Sequence, residues 1–259
     1  MPFCIIRAAP LALALAATAF FGLDEGTAHA GTLLPERGGS PNADRIASLY
    51  AVVLVVAALV FAAVVAALAF ALVRYRERRS PEALQIRGNT RLEIAWTAAA
   101  TGLIVFLAAF SMTKLDAIER PDRAAASPGA AAAAGLGDAG ALEIAVIGQR
   151  YIWQYRYPNG AFSYHELVAP TGVTVDLRIA SVDVVHSWWI PKLGGKFDAV
   201  PGYINRTWFR IARPGIYRGQ CAELCGRNHA EMTAQVRAVP PAAYARWVAR
   251  QKQEVQRRP

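Results

Sequence analysis

The sequence predicts a membrane-anchored protein of the all-β class, with two spanning helices followed by a β-sandwich or barrel. Two observations predict this architecture. Residues 46–73 and 94–113 contain no charged side chain. Beyond residue 141 the apolar residues recur at every second position, as they do in strands with one buried face. Residues 121–140 between these regions are rich in alanine and glycine and have too few large side chains to build a core, so they form a linker.

The two uncharged runs are long enough to cross a bilayer. A hydrocarbon core of about 30 Å needs roughly 20 helical residues. The segment between the runs is rich in arginine, whereas residues 31–45 contain only Arg37 and Arg45. By the positive-inside rule the connecting loop is cytoplasmic, so residues 31–120 form a two-pass hairpin with both ends outside. The arginines of the connecting segment are Arg74, Arg76, Arg78, Arg79, Arg87 and Arg91.

A third apolar run, at the N-terminus, indicates a secretory signal peptide. Residues 8–23 lie between Arg7 and Asp24 and are followed by Ala28-His29-Ala30, a small-x-small pattern typical of signal-peptidase sites. We predict a signal peptide over residues 1–30 and a mature chain from Gly31. The alternative is a third spanning helix, for which this run is short.

Strand signals fill residues 141–240. Val173 to Ile179 alternates apolar with polar residues, and residues 144–157 are rich in β-branched and aromatic side chains and end in the turn sequence Pro158-Asn159-Gly160. We expect an antiparallel sandwich or barrel with a terminal helix over residues 242–256, inside the tail 241–259. Further strands are predicted over residues 207–211, 216–218 and 233–239.

Four potential metal ligands lie within twelve residues near the end of the predicted β domain. Cys221, Cys225, His229 and Met232 follow the spacing CxxxCxxxHxxM, and His186, just after a predicted strand, is the candidate for a distant fifth ligand. The alternative for two thiols in an extracytoplasmic domain is a disulfide. Thiolates, imidazoles and a thioether together favour copper, whereas zinc sites are closed sets of four ligands that rarely include methionine. Because a blue-copper site uses one cysteine, the second indicates a second copper ion bridged by both sulfurs.

The motif resembles the dinuclear copper A motif, CxExCxxxHxxM, of subunit II of the haem-copper cytochrome c oxidases. Three further blocks match that family in order, and the resemblance spans residues 45–240. It implies a cupredoxin-like Greek-key sandwich after the helical hairpin. It also implies a subunit that takes electrons from a cytochrome c and passes them to the haem of subunit I, for oxygen reduction coupled to proton pumping. The blocks are Asp183-Val-Val-His-Ser-Trp-Trp-Ile-Pro, Asp198-Ala-Val-Pro-Gly and Arg213-Pro-Gly-Ile-Tyr-Arg-Gly-Gln-Cys.

The same resemblance implies roles for individual residues of the site. Glu223 would ligate copper through its backbone carbonyl, and its carboxylate would reach a magnesium or manganese ion at the boundary with subunit I, with Asp198 near that ion. A hard carboxylate oxygen suits such an ion. The alternative for Glu223 is a solvated loop carboxylate. The side-chain ligands implied for the two copper ions are His186, Cys221, Cys225, His229 and Met232.

Glu93, at the cytoplasmic end of the second helix, resembles the glutamate at the mouth of the family's K proton pathway, so it is expected to take up protons. The alternative is a charged residue that marks the membrane edge. Many members carry a tryptophan in GHQWYW where electrons arrive, but this chain has Gly-Gln-Arg-Tyr-Ile-Trp from Gly148. Tyr151 or Trp153 would then receive the electron, or both would simply pack a sheet.

The charge of the β domain bears on its electron donor. Residues 141–259 contain 16 Lys+Arg and 8 Asp+Glu. The domain therefore carries a net positive charge, which would slow its encounter with a strongly basic cytochrome c. We expect a cytochrome c donor that is acidic, weakly charged or membrane-bound. The alternative is that the arginines face lipid head groups, subunit I or the C-terminal tail. The other expected partners are subunits I and III and the lipid bilayer, and no nucleic acid.

Two further classes of protein share parts of this pattern. The alternative function is the copper A subunit of a membrane nitric oxide reductase, but Glu93 and Glu223 favour the oxidase. A tethered copper carrier seldom needs two histidines and a methionine inside a full sandwich. The chain has no haem-binding CxxCH motif, so oxygen reduction is expected in a partner subunit.

Overall fold

The computed structural model describes residues 34–76, 88–121, 127–136 and 141–257. The predicted signal peptide and most of the arginine-rich loop lie outside the described residues. The described helices are α1 (Pro41–Arg74), α2 (Thr90–Glu119), α3 (Pro128–Ala133) and α4 (Pro241–Arg257). The described strands are β1 (Ala141–Gln149), β2 (Ile152–Arg156), β3 (Phe162–Tyr164), β4 (Glu166–Pro170), β5 (Thr174–Ser181), β6 (His186–Trp189), β7 (Phe197–Ala199), β8 (Asn205–Arg210), β9 (Gly215–Cys221) and β10 (Thr233–Val239).

Helices α1 and α2 are long and apolar enough to cross a membrane. Both helices are longer than the uncharged runs, because their first and last turns include polar and charged residues. Asn89 precedes α2 and its side chain accepts a hydrogen bond from the Leu92 backbone N–H, which satisfies one of the unpaired donors of the first turn. Large apolar side chains along both helices, such as Phe61 and Ile104, are exposed in the single chain, as expected of surfaces that face lipid or other subunits.

The ten described strands form two sheets of five strands each, packed as a sandwich. One sheet has the order β3-β2-β1-β5-β8 and the other the order β4-β10-β9-β6-β7. Buried and less buried residues alternate along β1 and β5, and the buried residues of both sheets form one core that includes Trp153, Tyr155 and Val236. Two apolar helices followed by an all-β sandwich are confirmed.

The expectation of purely antiparallel sheets was wrong. β1 runs parallel to β5, and β4 runs parallel to β10. The remaining pairs are antiparallel, including the β1–β2 hairpin that closes at Arg150 and Tyr151. Alternation of apolar and polar residues is the same in parallel and antiparallel strands, so the sequence pattern carries no information about this difference.

The outer ends of the membrane helices are joined to the sandwich by polar contacts around Trp208 of β8. The Trp208 indole N–H donates to the Ile118 carbonyl at 2.8 Å, one of the carbonyls that the end of α2 leaves without a helical partner. The Asn42 side chain donates to the Trp208 carbonyl at 3.2 Å, and Arg45 lies over the Trp208 ring and also contacts the Ala117 carbonyl. These contacts fix the sandwich against the hairpin.

Helices α3 and α4 cover the sandwich outside the metal-binding region. The six residues of α3 lie inside the predicted linker and bury Ala131. Helix α4 buries Tyr244 and Trp247. The ring centroids of Trp247 and Tyr157 are 5.0 Å apart. The predicted C-terminal helix therefore packs on the β domain.

Candidate metal centre

The candidate ligands converge because β6 and β9 are neighbours in one sheet. His186 begins β6, Cys221 ends β9, and the two strands pair so that Trp188 lies opposite Cys221. The chain then forms a loop that carries Cys225 and turns back into β10. A hydrogen bond of 2.9 Å from the Cys221 N–H to the Met232 carbonyl closes this loop, which brings residues eleven positions apart together.

The sulfur and nitrogen atoms of the site lie close enough to share metal ions. The Cys221 and Cys225 sulfurs are 3.9 Å apart, well beyond the roughly 2.05 Å of a disulfide bond. Each sulfur has its own imidazole: His186 Nδ1 lies 3.9 Å from Cys221 Sγ, and His229 Nδ1 lies 3.6 Å from Cys225 Sγ. Met232 Sδ is 3.9 Å from Cys225 Sγ. Ligand atoms of His186, Cys221 and Cys225 all lie within 4.8 Å of one another, so these three residues form a possible metal site.

The cluster is shielded from water. His186, Cys221, Cys225 and Met232 are buried, whereas His229 is partly exposed. Burial, together with the neighbouring Cys221 thiol, raises the pKa of the Cys225 thiol to about 11. Because a metal binds the thiolate, metal binding at Cys225 would release a proton at neutral pH. The Glu223 carbonyl oxygen lies 3.3 Å from Cys221 Sγ, at the edge of the same cluster.

Asp183 holds the outer nitrogen of His186. Its Oδ1 lies 2.9 Å from His186 Nε2, while His186 Nδ1 faces the sulfurs. With Nδ1 on a metal, Nε2 carries the proton and donates to Asp183, the arrangement that fixes the orientation of a metal-binding imidazole. Asp183 is itself held by backbone N–H groups of Arg150 at 2.8 Å and Val184 at 2.7 Å.

The carboxylate of Asp183 is ionised in this setting. Partial burial by itself raises the pKa of Asp183, but the hydrogen bonds from Arg150, His186 and Val184 outweigh it and lower the pKa well below its usual range. A negative charge therefore lies beside His186 at neutral pH, and a negative charge stabilises the oxidised, more positive state of a bound metal.

We expect Asp183→Asn to raise the reduction potential of the copper-loaded protein by tens of millivolts and to weaken copper binding about tenfold or more. Asparagine can still accept from His186 Nε2, so the change removes mainly the charge. Redox titration and copper competition measure both effects. The matched control is Glu143→Gln, which removes the same charge from an exposed ion pair with Arg178 on β1 and β5. Equal potentials in the two variants would contradict the assignment.

The two aromatic candidates for receiving electrons occupy different positions. Trp153 is fully buried, and its ring lies edge-on to His186 with ring centroids 5.9 Å apart. Tyr151 is partly exposed on the β1–β2 turn, and a Cβ at Gly226 would lie 2.6 Å from its hydroxyl. Tyr151 therefore contacts the loop that carries Cys225, whereas Trp153 packs against the His186 ring in the buried core.

The carboxylates predicted to reach a second metal ion lie on either side of Lys196. The Lys196 ammonium is 3.4 Å from Glu223 Oε2 and 3.5 Å from Asp198 Oδ1. The structure therefore brings Glu223 and Asp198 to one place, with a cation of the protein between them. Hydrogen bonding to Glu223 and the charge of Asp198 raise the pKa of Lys196.

Glu93 lies far along the chain from this cluster, in the first turn of α2. It is exposed, and its Oε1 lies 3.4 Å from the Asn89 backbone N–H. Together with the Asn89 side chain, this contact caps the helix.

Two residues at the site were missed by sequence reasoning. Asp183 precedes His186 by three residues, and a carboxylate so close to a candidate metal-binding histidine is a signal that could have found it. Lys196 stands two residues before Asp198, but nothing in that spacing indicates the contact with Glu223, which depends on the approach of two distant loops.

A sandwich with a buried cluster of thiols, imidazoles and a thioether, joined to two membrane helices, defines a membrane-anchored cupredoxin-like metalloprotein. Comparison with protein families agrees: residues 162–239 match "Cytochrome C oxidase subunit II, periplasmic domain" and residues 28–114 match "Cytochrome C oxidase subunit II, transmembrane domain". The chain belongs to the cytochrome c oxidase subunit II family. It is a two-pass inner-membrane protein with the β domain on the outer side, and that domain is the copper A domain of the family.

Similar proteins bear this out over most of the chain. The cytochrome c oxidase subunit 2 of Alkalihalophilus pseudofirmus is 35% identical over 208 residues, which cover 78% of this chain and 57% of that protein. The cytochrome c oxidase subunit 2 of Cereibacter sphaeroides is 29% identical, and the match covers 83% of this chain and 80% of that protein. A probable subunit 2 of Rickettsia bellii is 31% identical and covers 70% of each chain. This chain thus spans little more than half the length of the Alkalihalophilus relative.

A solved structure is also similar to part of this chain. The periplasmic domain of cytochrome oxidase subunit II of Bradyrhizobium japonicum is 32% identical, with a TM-score of 0.43, and the match covers 44% of this chain and 94% of that one.

Proposed function

We propose that this chain is the electron-accepting subunit of a respiratory haem-copper cytochrome c oxidase. It takes electrons from a cytochrome c at a dinuclear copper A centre and delivers them to the haem of subunit I, where oxygen is reduced and protons are pumped. The observation that carries the proposal is the pair of unbridged thiols 3.9 Å apart, each with its own imidazole. Names of relatives such as those of Alkalihalophilus and Cereibacter support it.

The donor set fits a copper pair. Two thiols can bridge two metal ions, and one imidazole is available for each ion. The remaining positions suit the Met232 thioether beside Cys225 and the Glu223 carbonyl beside Cys221. When bound there, a copper pair supplies one-electron storage shared between two metal ions. The proposed ligands are His186, Cys221, Glu223, Cys225, His229 and Met232.

The surroundings of the ligands suit electron transfer rather than bond-making. His186 and Cys221 lie at the ends of two paired strands, and His186 is fixed by Asp183 on one side and Trp153 on another. A rigid site of this kind changes little in geometry between redox states. Oxygen chemistry takes place in subunit I, since no histidine lies within residues 46–73 or 94–113.

Electrons are proposed to arrive through Tyr151. Its partial exposure and its contact with Gly226, next to Cys225, connect the surface with the ligand loop. Trp153 is buried, so a docked donor reaches it only through other residues.

Two further proposed sites serve the complex. Glu93 is proposed to admit protons from the cytoplasmic side, where it is exposed in the first turn of α2. Glu223 is proposed to bind magnesium or manganese shared with subunit I, with Asp198 near the same ion, and Lys196 would have to move aside for that ion. Subunit III completes the proposed complex. Nothing in the comparisons favours the nitric oxide reductase alternative.

Spectroscopy of the copper-loaded full chain in detergent tests the proposal. We expect two copper ions per chain, a purple colour and a hyperfine pattern from one electron shared by two copper nuclei. Met232→Leu should keep the pair assembled but raise its reduction potential, because the lost thioether helps to stabilise the oxidised state. A single copper ion with a localised electron in the unmodified protein would overturn the proposal.

A further inference from the structure

The turn between β1 and β2 is connected to the candidate ligand His186 through one carboxylate. Arg150 lies in this turn, and its backbone N–H (2.8 Å) and its side-chain Nε (3.3 Å) both donate to Oδ2 of Asp183. The other oxygen of that carboxylate, Oδ1, lies 2.9 Å from Nε2 of His186. We call these contacts the Arg150–Asp183–His186 network. It leads from the protein surface to a residue of the metal centre.

The middle of this network is fixed by further contacts. Oδ1 of Asp183 also accepts from the Val184 N–H at 2.7 Å and from the Ser181 hydroxyl at 3.3 Å. Strand β1 approaches the ligand directly as well, since a Cβ at Gly148 would lie 3.0 Å from Cδ2 of His186. The carboxylate therefore keeps its position beside the imidazole, and the guanidinium that binds its outer oxygen is held at a fixed place.

The network joins charges of opposite sign along a gradient of burial. The Arg150 side chain is 50% exposed, that of Asp183 is 19% exposed and that of His186 is fully buried. Among the described residues, Arg150 is the only arginine or lysine that pairs with Asp183. Water screens charges weakly at a buried site, so the charge of the carboxylate and that of the guanidinium both act on the metal centre. Their effects on that centre oppose each other.

We infer that Arg150 is a positioning residue that raises the reduction potential of the metal centre, by opposing the negative charge that Asp183 places beside His186. The inference rests on the proposed function, because it concerns copper ions that His186 would help to hold. Arg150 acts through Asp183 and lies at the surface. The potential of the centre is therefore adjustable from a surface position, without a change of ligand and without repacking of the core.

Redox titration of the copper-loaded full chain in detergent tests this inference. Arg150→Gln removes the guanidinium charge and keeps the backbone N–H that donates to Asp183. We expect its equilibrium with a one-electron mediator to shift about threefold toward the oxidised state, which lowers the reduction potential by about 28 mV at 59 mV per tenfold change. Arg150→Lys keeps a positive charge and should restore about half of the shift or more. An unchanged potential in Arg150→Gln, or an equal shift in both variants, would overturn the inference.

Arg178→Gln is the matched control. Arg178 is 39% exposed and pairs with Glu143 at 3.2 Å, on strands β5 and β1 and outside the network. This variant loses the same charge from the domain, so it measures the effect of net charge alone. It should move the potential by less than about a third as much as Arg150→Gln, because salt screens distant exposed charges. A shift as large as that of Arg150→Gln would overturn the inference.

A double-mutant cycle tests whether Arg150 acts through Asp183. In the Asp183→Asn background the guanidinium is no longer held by a carboxylate and is free to move into solvent. Arg150→Gln should then shift the potential by less than about half of the amount that it shifts it in the unmodified protein. Equal shifts in the two backgrounds would show that Arg150 acts without Asp183 and would overturn the inference.

Copper competition separates a change of potential from structural damage. Removing a positive charge favours oxidised copper, so Arg150→Gln should retain cupric ions at least as tightly as the unmodified protein. Weaker retention together with a lower potential would show that Arg150 only maintains the structure, and the inference would fail. The hyperfine pattern of the unmodified protein reports on the proposed function separately. A single-copper signal there overturns that function, whereas the comparison of potentials still decides the role of Arg150.

Discussion

Replacing Cys221 with serine is expected to abolish the shared-electron signal of the copper-loaded protein and to lower the copper content below two ions per chain. Cys221 ends β9, and its sulfur is near both His186 Nδ1 and Cys225 Sγ, so it is the atom that links the two halves of the cluster. A serine hydroxyl is a hard donor that stays protonated near neutral pH and does not bridge soft metal ions. Electron paramagnetic resonance and metal analysis measure the result.

The fold should survive this change. Serine is slightly smaller than cysteine, and the backbone hydrogen bond from residue 221 to the Met232 carbonyl does not depend on the side chain. Circular dichroism should therefore match that of the unmodified protein. His165→Asn is the matched control, since His165 is exposed and lies outside the cluster. A shared-electron signal that persists in Cys221→Ser would contradict the bridging role.

Gly219→Ala is expected to destabilise the β domain by about 3 kcal/mol and to prevent copper loading. A Cβ at position 219 would overlap the Trp189 carbonyl oxygen and lie 2.8 Å from the Ile190 Cα, both backbone atoms of the neighbouring chain segment. Because β9 and β6 must approach closely at this point, the added methyl group separates the strands that bring Cys221 to His186. Denaturant unfolding and copper titration measure the two effects.

A second glycine variant controls for substitution itself. Gly129 lies in α3, and a Cβ there would meet no atom within 4 Å. Gly129→Ala should change the free energy of unfolding by no more than about 1 kcal/mol, in the stabilising direction, because alanine favours a helix. If Gly219→Ala loads copper as well as Gly129→Ala does, the close approach of β6 and β9 is not what holds the site together.

Patterns local in the chain predicted most of the architecture. Uncharged runs and alternating residues are sufficient for two helices and a β domain, since burial in lipid or in a core selects residues position by position. The direction of strand pairing was not predictable in this way. Strand β1 pairs with its sequence neighbour β2 on one side and with the distant strand β5 on the other. The pairing with β5 depends on the packing of the whole sandwich.

The candidate site, too, could be predicted only in part from the sequence. Cys221, Cys225, His229 and Met232 could be recognised because they share one loop, and their residue types and spacing indicate a soft metal. The separation of roles between Tyr151 and Trp153 could not be predicted, since the sequence does not show that the turn between β1 and β2 ends at Tyr151 and that Trp153 lies inside β2 under the core.

The sequence by itself determined the membrane anchor, the β class of the outer domain and the residue types of the metal centre, because hydropathy, periodicity and ligand chemistry are properties of the chain. Only the tertiary structure decided which groups surround that centre. The Arg150 contact with Asp183, the Lys196 contact with Glu223 and the approach of Tyr151 to Gly226 all join separate loops. Such contacts arise from the packing of two sheets, and no local pattern encodes them.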